Sequence, residues 1–255
     1  MGTLAFLYGA AAYALFLAVF LYAIAFVGNL PVPKTIDSGP AGALAPSLAI
    51  NILLLGLFAV QHSVMARPGF KRWWTRFVPH SVERSTYVLL ASLALALLFW
   101  QWRPIAGVIW SIEHPVGVVT AYALFGLGWT IVLLATFMIN HFDLFGLRQV
   151  YLRVRGMQYT QVPFRTVAFY KLVRHPIMLG FLIAFWATPH MTLGHLLFSV
   201  TTTAYIFIGI FFEERDLAAA HGRTFEQYRR EVPMILPVPG RRSQEEGGKR
   251  TVGAR

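Results

Sequence analysis

The chain has 255 residues, 56% of them hydrophobic and only 13% charged, with a formal net charge of +11. A soluble domain of this size carries about twice that charged fraction, so a water-soluble globule is excluded. The absence of cysteine excludes a disulfide, a thiolate metal site and a cysteine nucleophile.

Six stretches contain no Asp, Glu, Lys or Arg: 3–28, 44–66, 85–102, 117–140, 177–187 and 195–212. A helix needs about 20 apolar residues to cross the hydrocarbon of a bilayer. Four of the first five and the sixth meet or approach that length, whereas 177–187 is too short alone and reads as the apolar part of a helix or one arm of a hairpin. The expected fold is therefore all-α, a polytopic membrane bundle of five to six helices.

The first stretch is longer than the core of a signal peptide and lacks a basic leader, so it reads as a retained helix. Its small residues Gly9, Ala10, Ala11, Ala12, Ala14 and Ala18 permit close helix approach. Pro31, Pro33, Gly39 and Pro40 mark a turn-rich connection. In the second stretch, Asn51, Gln61 and His62 are the polar exceptions. An interhelical hydrogen bond is the ordinary reading of Gln61 and His62, and a substrate contact the alternative. Trp73, Trp74, Trp100, Trp102 and Trp110 lie at the ends of apolar stretches, where aromatic belts anchor.

The polar connections sort by sign. Residues 67–84 carry five basic side chains against Glu83, a net of +4, and residues 141–176 carry six against Asp143, a net of +5. The chain from Glu213 onward has nine Lys/Arg and seven Asp/Glu, a net of +2, and the remaining connections balance. This alternation follows the positive-inside pattern and puts both termini and both long basic connections in the cytoplasm, provided 177–187 and 195–212 run up and down. The basic residues border apolar spans, so anionic lipid headgroups account for them better than nucleic acid does.

Three regions follow: transmembrane helices over 1–140, a region of concentrated polar chemistry over 141–240, and a tail over 241–255 with no apolar period, expected to be disordered. Within the second, Leu217, His221, Phe225, Tyr228 and Val232 recur at steps of four, four, three and four, one face of an amphipathic helix stopped by Pro233, Pro237 and Pro239. No cluster with metal-ligand spacing is present; His114, His190, His195 and His221 are isolated and read as interfacial.

Two clusters can carry chemistry. Pro176 suits the first position of a helix, so Arg174 and His175 flank a helix N-terminus whose dipole favours an anion. Glu213 and Glu214 follow an apolar span at a boundary where basic residues are usual. They would suit a cation or a ligand bearing hydroxyls or an amine; a salt bridge to Arg174 or Lys171 is the structural alternative. If the two short spans form a hairpin, both clusters face one side, and a zwitterion with an amino acid moiety and a ribose would fit between them.

The run Arg174-His175-Pro176-Ile-Met-Leu-Gly180, then a hydrophobic hairpin, then Glu213, Glu214, Leu217, Gly222, Phe225, Tyr228 and Pro233, resembles the isoprenylcysteine carboxyl methyltransferase and phospholipid methyltransferase superfamily. Segments 29–40, 61–65, 70–74, 83–87 and 140–149 are similar, more narrowly, to the bacterial methanethiol S-methyltransferases. The resemblance implies a cytoplasm-facing site for S-adenosyl-L-methionine in a bacterial inner membrane, and methylation of a small thiol, most closely methanethiol to dimethyl sulfide. It implies that Arg174, His175 and Pro176 hold the cofactor's amino acid end and that Glu213 and Glu214 serve its ribose or amino group. The Tyr170 and Gly180 neighbourhoods would line the pocket. Met178 stands where many relatives have Tyr; it can pack on adenine or the sulfonium but cannot donate a hydrogen bond.

A thiol must lose its proton before it attacks. The expected base or thiolate-stabilising groups are His141, Asp143, Arg148 and Tyr151, just after the fourth stretch. His141 and Asp143 are two apart, so on a helix they would not share a face and would converge only in a loop. Capping the end of the fourth span is their structural alternative. Competing readings keep the enzyme but change the acceptor to a lipid or prenylcysteine, or keep the fold without catalysis. A transporter is disfavoured, since the spans lack the buried carboxylates of ion coupling.

Overall fold

Where no water is present, a backbone must satisfy its own N–H and C=O groups, so long apolar runs close into helices. The structure is a computed structural model that describes residues 2–40, 42–163 and 165–237. The expected disordered tail at 241–255 lies outside the described residues. In chain order the elements are α1 (Gly2–Val27), α2 (Leu44–Ala66), α3 (Pro68–Trp74), α4 (His80–Gln101), β1 (Val108–Ser111), α5 (Pro115–Ile139), α6 (His141–Leu144), α7 (Leu147–Val154), a 3-10 turn (Ala168–Lys171), α8 (Pro176–Trp186), β2 (His190–Thr192), α9 (Leu193–His221) and α10 (Arg223–Glu231).

Among the described residues, α1, α2, α4, α5 and α9 are long and apolar enough to cross a membrane. The chain is a polytopic helix bundle. Its outward positions are large and apolar, as with Leu53, Val119 and Phe211, the composition of a surface that meets lipid tails. α1 packs beside α4, α4 beside α2, and α5 beside α8, with α9 closing the bundle against α8 and α2.

The short apolar stretch resolves as α8, whose 11 residues rise only about 16 Å. The remaining distance is covered by extended chain. β2 pairs antiparallel with β1, Val108 opposite Thr192 and Ser111 opposite His190. Around it Ile112 N–H donates to Pro189 O, Leu193 N–H to Gly107 O, and Trp110 Nε1 to Thr188 O. The ribbon thus satisfies backbone groups that leave the helix early. The all-α reading omitted this ribbon, because three or four residues with no alternating pattern give no strand signal.

Two glycines let α8 lie close to α5. A Cβ on Gly180 would meet Gly128 O at 2.6 Å and Val132 Cγ2 at 2.8 Å, and one on Gly128 would meet Gly180 O at 2.6 Å. The crossing brings backbone against backbone, so dispersion contacts run along both helices.

At the end opposite the basic connections, polar side chains serve the backbone. Asn51 donates to Arg103 O at 2.7 Å and accepts Arg103 N–H at 2.9 Å. Asp37 accepts from Asn29 and Thr192, and Lys34 donates to Trp100 O. Three expectations change in the folded chain. Trp102 is fully buried and donates to Ile36 O, so it is a core residue rather than part of an aromatic belt. His195 is also fully buried, bonding Phe185 O at 3.0 Å, so it is not interfacial. The amphipathic helix is two helices, because Gly222 at φ 50° breaks α9 from α10; Leu217, Phe225, Tyr228 and Val232 still pack together across the bend.

Gly180→Val or Gly128→Val should separate α5 from α8 and destabilise the protein by about 1–3 kcal/mol, measured as a lower thermal unfolding midpoint in detergent. Gly56→Ala, whose Cβ would meet nothing within 4 Å among the described residues, should show no loss.

Candidate active site

The two clusters separated by the α8–α9 hairpin meet at the basic end of the bundle. Arg174, just before α8, donates through Nε to Glu214 Oε1 at 2.8 Å, and its second terminal nitrogen lies 2.8 Å from the same oxygen. Its remaining terminal nitrogen donates to the carbonyls of Arg229 and Val232 at the end of α10. His175 reaches both acids, with Nε2 at 3.1 Å from Glu214 Oε1 and Nδ1 at 3.6 Å from Glu213 Oε2. The chain after α10 closes the arrangement: Arg174 N–H donates to Pro233 O and His175 N–H to Met234 O.

Burial decides the roles. The side chains of Arg174, His175 and Glu214 are 9%, 5% and 13% exposed, whereas Glu213 is 47% exposed. Arg174 therefore braces α8, α9 and α10 with its donors already matched, and Glu213 is the acid that faces open space. Burial pulls the His175 imidazole down, but the hydrogen bonds and charges of Glu213 and Glu214 outweigh it and hold its pKa above the ordinary value.

Other residues of the expected pocket separate into walls and packing. Pro176 opens α8 and is buried. Tyr170 lies in the 3-10 turn, its carbonyl accepting Tyr228 Oη at 2.6 Å and its own hydroxyl 3.4 Å from Ala135 O. Burial pushes the Tyr228 phenol up to about 12, so it stays a donor. Met178 packs against Ile206, Ile210 and Ile235. Gly180 is at the α5 crossing and serves helix approach rather than facing the exposed acid.

The residues after α5 form a different assembly. Asn140 caps α6 by accepting Asp143 N–H at 3.0 Å. His141 is buried, stacked on Phe137 at 4.2 Å. The Thr136 hydroxyl donates to Leu133 O, so it accepts from His141 Nδ1 at 2.8 Å, leaving Nε2 to accept from Tyr13 Oη at 2.8 Å. Burial lowers the pKa of this imidazole and keeps it neutral. Asp143 instead pairs with Arg148 at 2.9 Å and accepts from Tyr159. Arg148 also donates to Thr160, and Tyr151 is exposed on α7. The structure thus does not bring His141 to Asp143. It pins the connection beneath α1 and α4, with Phe145 stacked on Phe16 and Gly146, at φ 87°, against the backbone of Ser85.

A second polar cluster lies between α2, α4 and α9. Tyr87 Oη is 3.0 Å from both ring nitrogens of His62, Ser63 Oγ is 3.1 Å from Tyr205 Oη, and Arg67 pairs with Asp216 at 2.9 Å. Gln61 and His62 stand out in the sequence as polar breaks in an apolar run. Tyr205 and Tyr87 do not, because a tyrosine in a membrane helix has no distinguishing pattern.

No family model matches the chain, and no solved structure matches it significantly. The methanethiol S-methyltransferase of Mycobacterium tuberculosis is 60% identical over 238 residues, which cover 93% of this chain and 98% of that protein. Methanethiol S-methyltransferase 2 of Bradyrhizobium diazoefficiens is 53% identical over 253 residues, 97% of this chain and 96% of the relative. Mouse nurim is 28% identical over 183 residues, 69% of this chain and 70% of that protein.

Glu214→Ala leaves the buried Arg174 charge without its carboxylate and should cost about 3–5 kcal/mol of stability, read from detergent unfolding. His175 has a pH signature. A group with a raised native pKa stabilises fully below its unfolded value, about 6.5. That contribution is lost as pH climbs through the raised value. The unfolding midpoint should therefore fall as pH rises above about 6.5, and His175→Gln should remove that part of the slope.

Proposed function

This chain belongs to the methanethiol S-methyltransferase family, and we propose that it moves a methyl group from S-adenosyl-L-methionine to methanethiol, yielding dimethyl sulfide. The observation that carries the reading is near full-length identity: 60% over 238 residues, which cover 93% of this chain and 98% of the mycobacterial relative. The membrane setting agrees with an apolar, volatile acceptor that partitions into lipid and approaches between helices.

The residues at the basic end fit this methyl donor. Glu213, half exposed beside the imidazole of His175, offers a carboxylate to ribose hydroxyls or an ammonium group. Gly209, one turn before it, leaves open space above the helix: a Cβ there would meet nothing within 4 Å among the described residues. We assign Tyr170, Arg174, His175, Pro176, Met178, Gly180, Glu213 and Glu214 to the donor-binding region, with the buried Arg174–His175–Glu214 clasp orienting Glu213 and Gly180 setting α8 against α5. Bound there, the donor supplies an electrophilic methyl on a cationic sulfur. The protein contributes positioning for in-line attack and a site that excludes bulk water. His141, Asp143 and Arg148 hold the connection that seals this end rather than meeting the thiol, since both His141 nitrogens and the Asp143 carboxylate are engaged within the fold, while Tyr151 is exposed on α7. The connections of +4 and +5 share this end, so the site faces the cytoplasm of a bacterial inner membrane.

The test is direct. Membranes carrying the chain, given methyl-labelled S-adenosyl-L-methionine and methanethiol, should release labelled dimethyl sulfide into the headspace. Label appearing only in lipid would sink the thiol reading in favour of a lipid acceptor. Glu213→Ala should weaken donor binding on the order of tenfold to a hundredfold, the loss of one charged hydrogen bond, measured by equilibrium binding of labelled donor.

A further inference from the structure

On α9, successive side chains turn by about 100°, which separates a lipid face from an inward one. Phe207, Ile208 and Phe211 are exposed and mark the lipid face. Tyr205, Gly209 and Glu213, spaced by four, form a stripe on the opposite, inward side. At Gly209 that stripe is unfilled among the described residues. The stripe rises about 12 Å from Tyr205 to Glu213, and the open space over Gly209 lies at its middle, where we read a cleft.

The deep end of the cleft is the polar cluster of α2 and α4. His62 is stacked on Phe58, its ring 5.2 Å away, and its ring lies 6.5 Å from that of Tyr205. Tyr87 Oη stands equally far, 3.0 Å, from both imidazole nitrogens. It therefore faces the carbon between them, and one hydroxyl there serves only one nitrogen well. Beside His62, the buried Gln61 Oε1 has no hydrogen-bond partner among the described residues, nor does Trp74 Nε1. A buried polar atom without a partner marks room for a ligand or water. Arg84 borders the cluster, 4.9 Å above the Tyr87 ring, and its Nε–H goes to the Leu144 carbonyl rather than to a carboxylate. Positive charge thus faces the place where a thiolate would form.

We propose that the acceptor thiol binds in the cleft over Gly209 and that His62 is its general base, with Tyr205 and Tyr87 as flanking hydroxyls. This rests on the methyl-transfer reading above. The free His62 nitrogen takes the S–H proton. The sulfur lone pair forms the new C–S bond to the methyl, and the donor's C–S bond breaks with its electron pair remaining on what becomes a neutral sulfide. The proton then leaves His62 for water at the basic end. The stripe orders the reactants in line: thiol by Tyr205, sulfonium over Gly209, polar end of the donor at Glu213.

The experiment uses the full-length protein in detergent or vesicles and measures donor binding separately from transfer to methanethiol. His62→Gln should leave the donor dissociation constant within about twofold and lower kcat by about 10²–10⁴ at neutral pH. Its residual rate should rise about tenfold per pH unit as solvent takes over deprotonation. Gly209→Leu should keep the fold and fill the cleft, raising KM for methanethiol at least tenfold, while Gly56→Leu should change nothing. A His62→Gln enzyme with unaltered kcat and pH profile would overturn the base assignment, and a Gly209→Leu enzyme with unaltered KM would overturn the cleft. Failure of the unaltered protein to methylate methanethiol while still binding the donor would instead remove the reading on which both stand.

Discussion

One carboxylate, Glu214, holds the basic end of this molecule together. Arg174 and His175 both meet its Oε1, and Arg174 goes on to the last carbonyls of α10. Taking ions out of water is costly, and their attraction offsets that cost only when geometry and hydrogen bonding are good. Here the guanidinium donors are matched on three sides. The clasp binds the start of α8, the last turns of α9 and the exit of α10 into one unit, and it leaves Glu213 as the acid turned to open space.

That clasp works only because α8 is held from the other side. The glycine crossing at Gly128 and Gly180 brings α8 against α5 with no side chain between them. α8 then stops at Trp186 after a rise of about 16 Å, and the β1–β2 ribbon follows it before α9 begins. A rigid helix start, fixed at one end by ions and along its length by backbone contact, sets where the α9 stripe of Tyr205, Gly209 and Glu213 faces. α9 meets α2 through Tyr205 and α8 through Ile206 and Ile210, and Gly209 leaves open space between these residues.

Most polar side chains of the spans follow one rule, that a hydrogen-bonding group in hydrocarbon finds a partner. Asn51 imitates a backbone to Arg103, and Ser199 and His195 share the Phe185 carbonyl where α8 ends. His141 is likewise matched on both nitrogens. His62, with one hydroxyl shared between two nitrogens beside an unmatched Gln61 oxygen, departs from the rule, as do Trp129 Nε1 and His195 Nδ1, which have no partner among the described residues. Departures of this kind concentrate where a protein binds something else.

Uncharged length, charge placement and a helix-starting proline are local signals, so the membrane class, five to six spans, the basic end and the two clusters at 174–176 and 213–214 were legible in the residues, whereas the meeting of those clusters was conditional on a hairpin until the fold showed it. The sequence also marked Asn51, Gln61 and His62 as polar breaks in an apolar run. It did not determine that α9 bends at Gly222, that Trp102 and His195 are core residues, or that a two-stranded ribbon completes the hairpin. Nor did it distinguish the two acids, since adjacent glutamates look alike until packing buries Glu214 and exposes Glu213. The expected partnership of His141 with Asp143 is absent for a similar reason: in the short helix capped by Asn140, His141 turns toward Tyr13 of α1 and Asp143 toward Arg148. Which face of a helix meets lipid, partner or cleft depends on contacts from distant chain, and those exist only in the folded bundle.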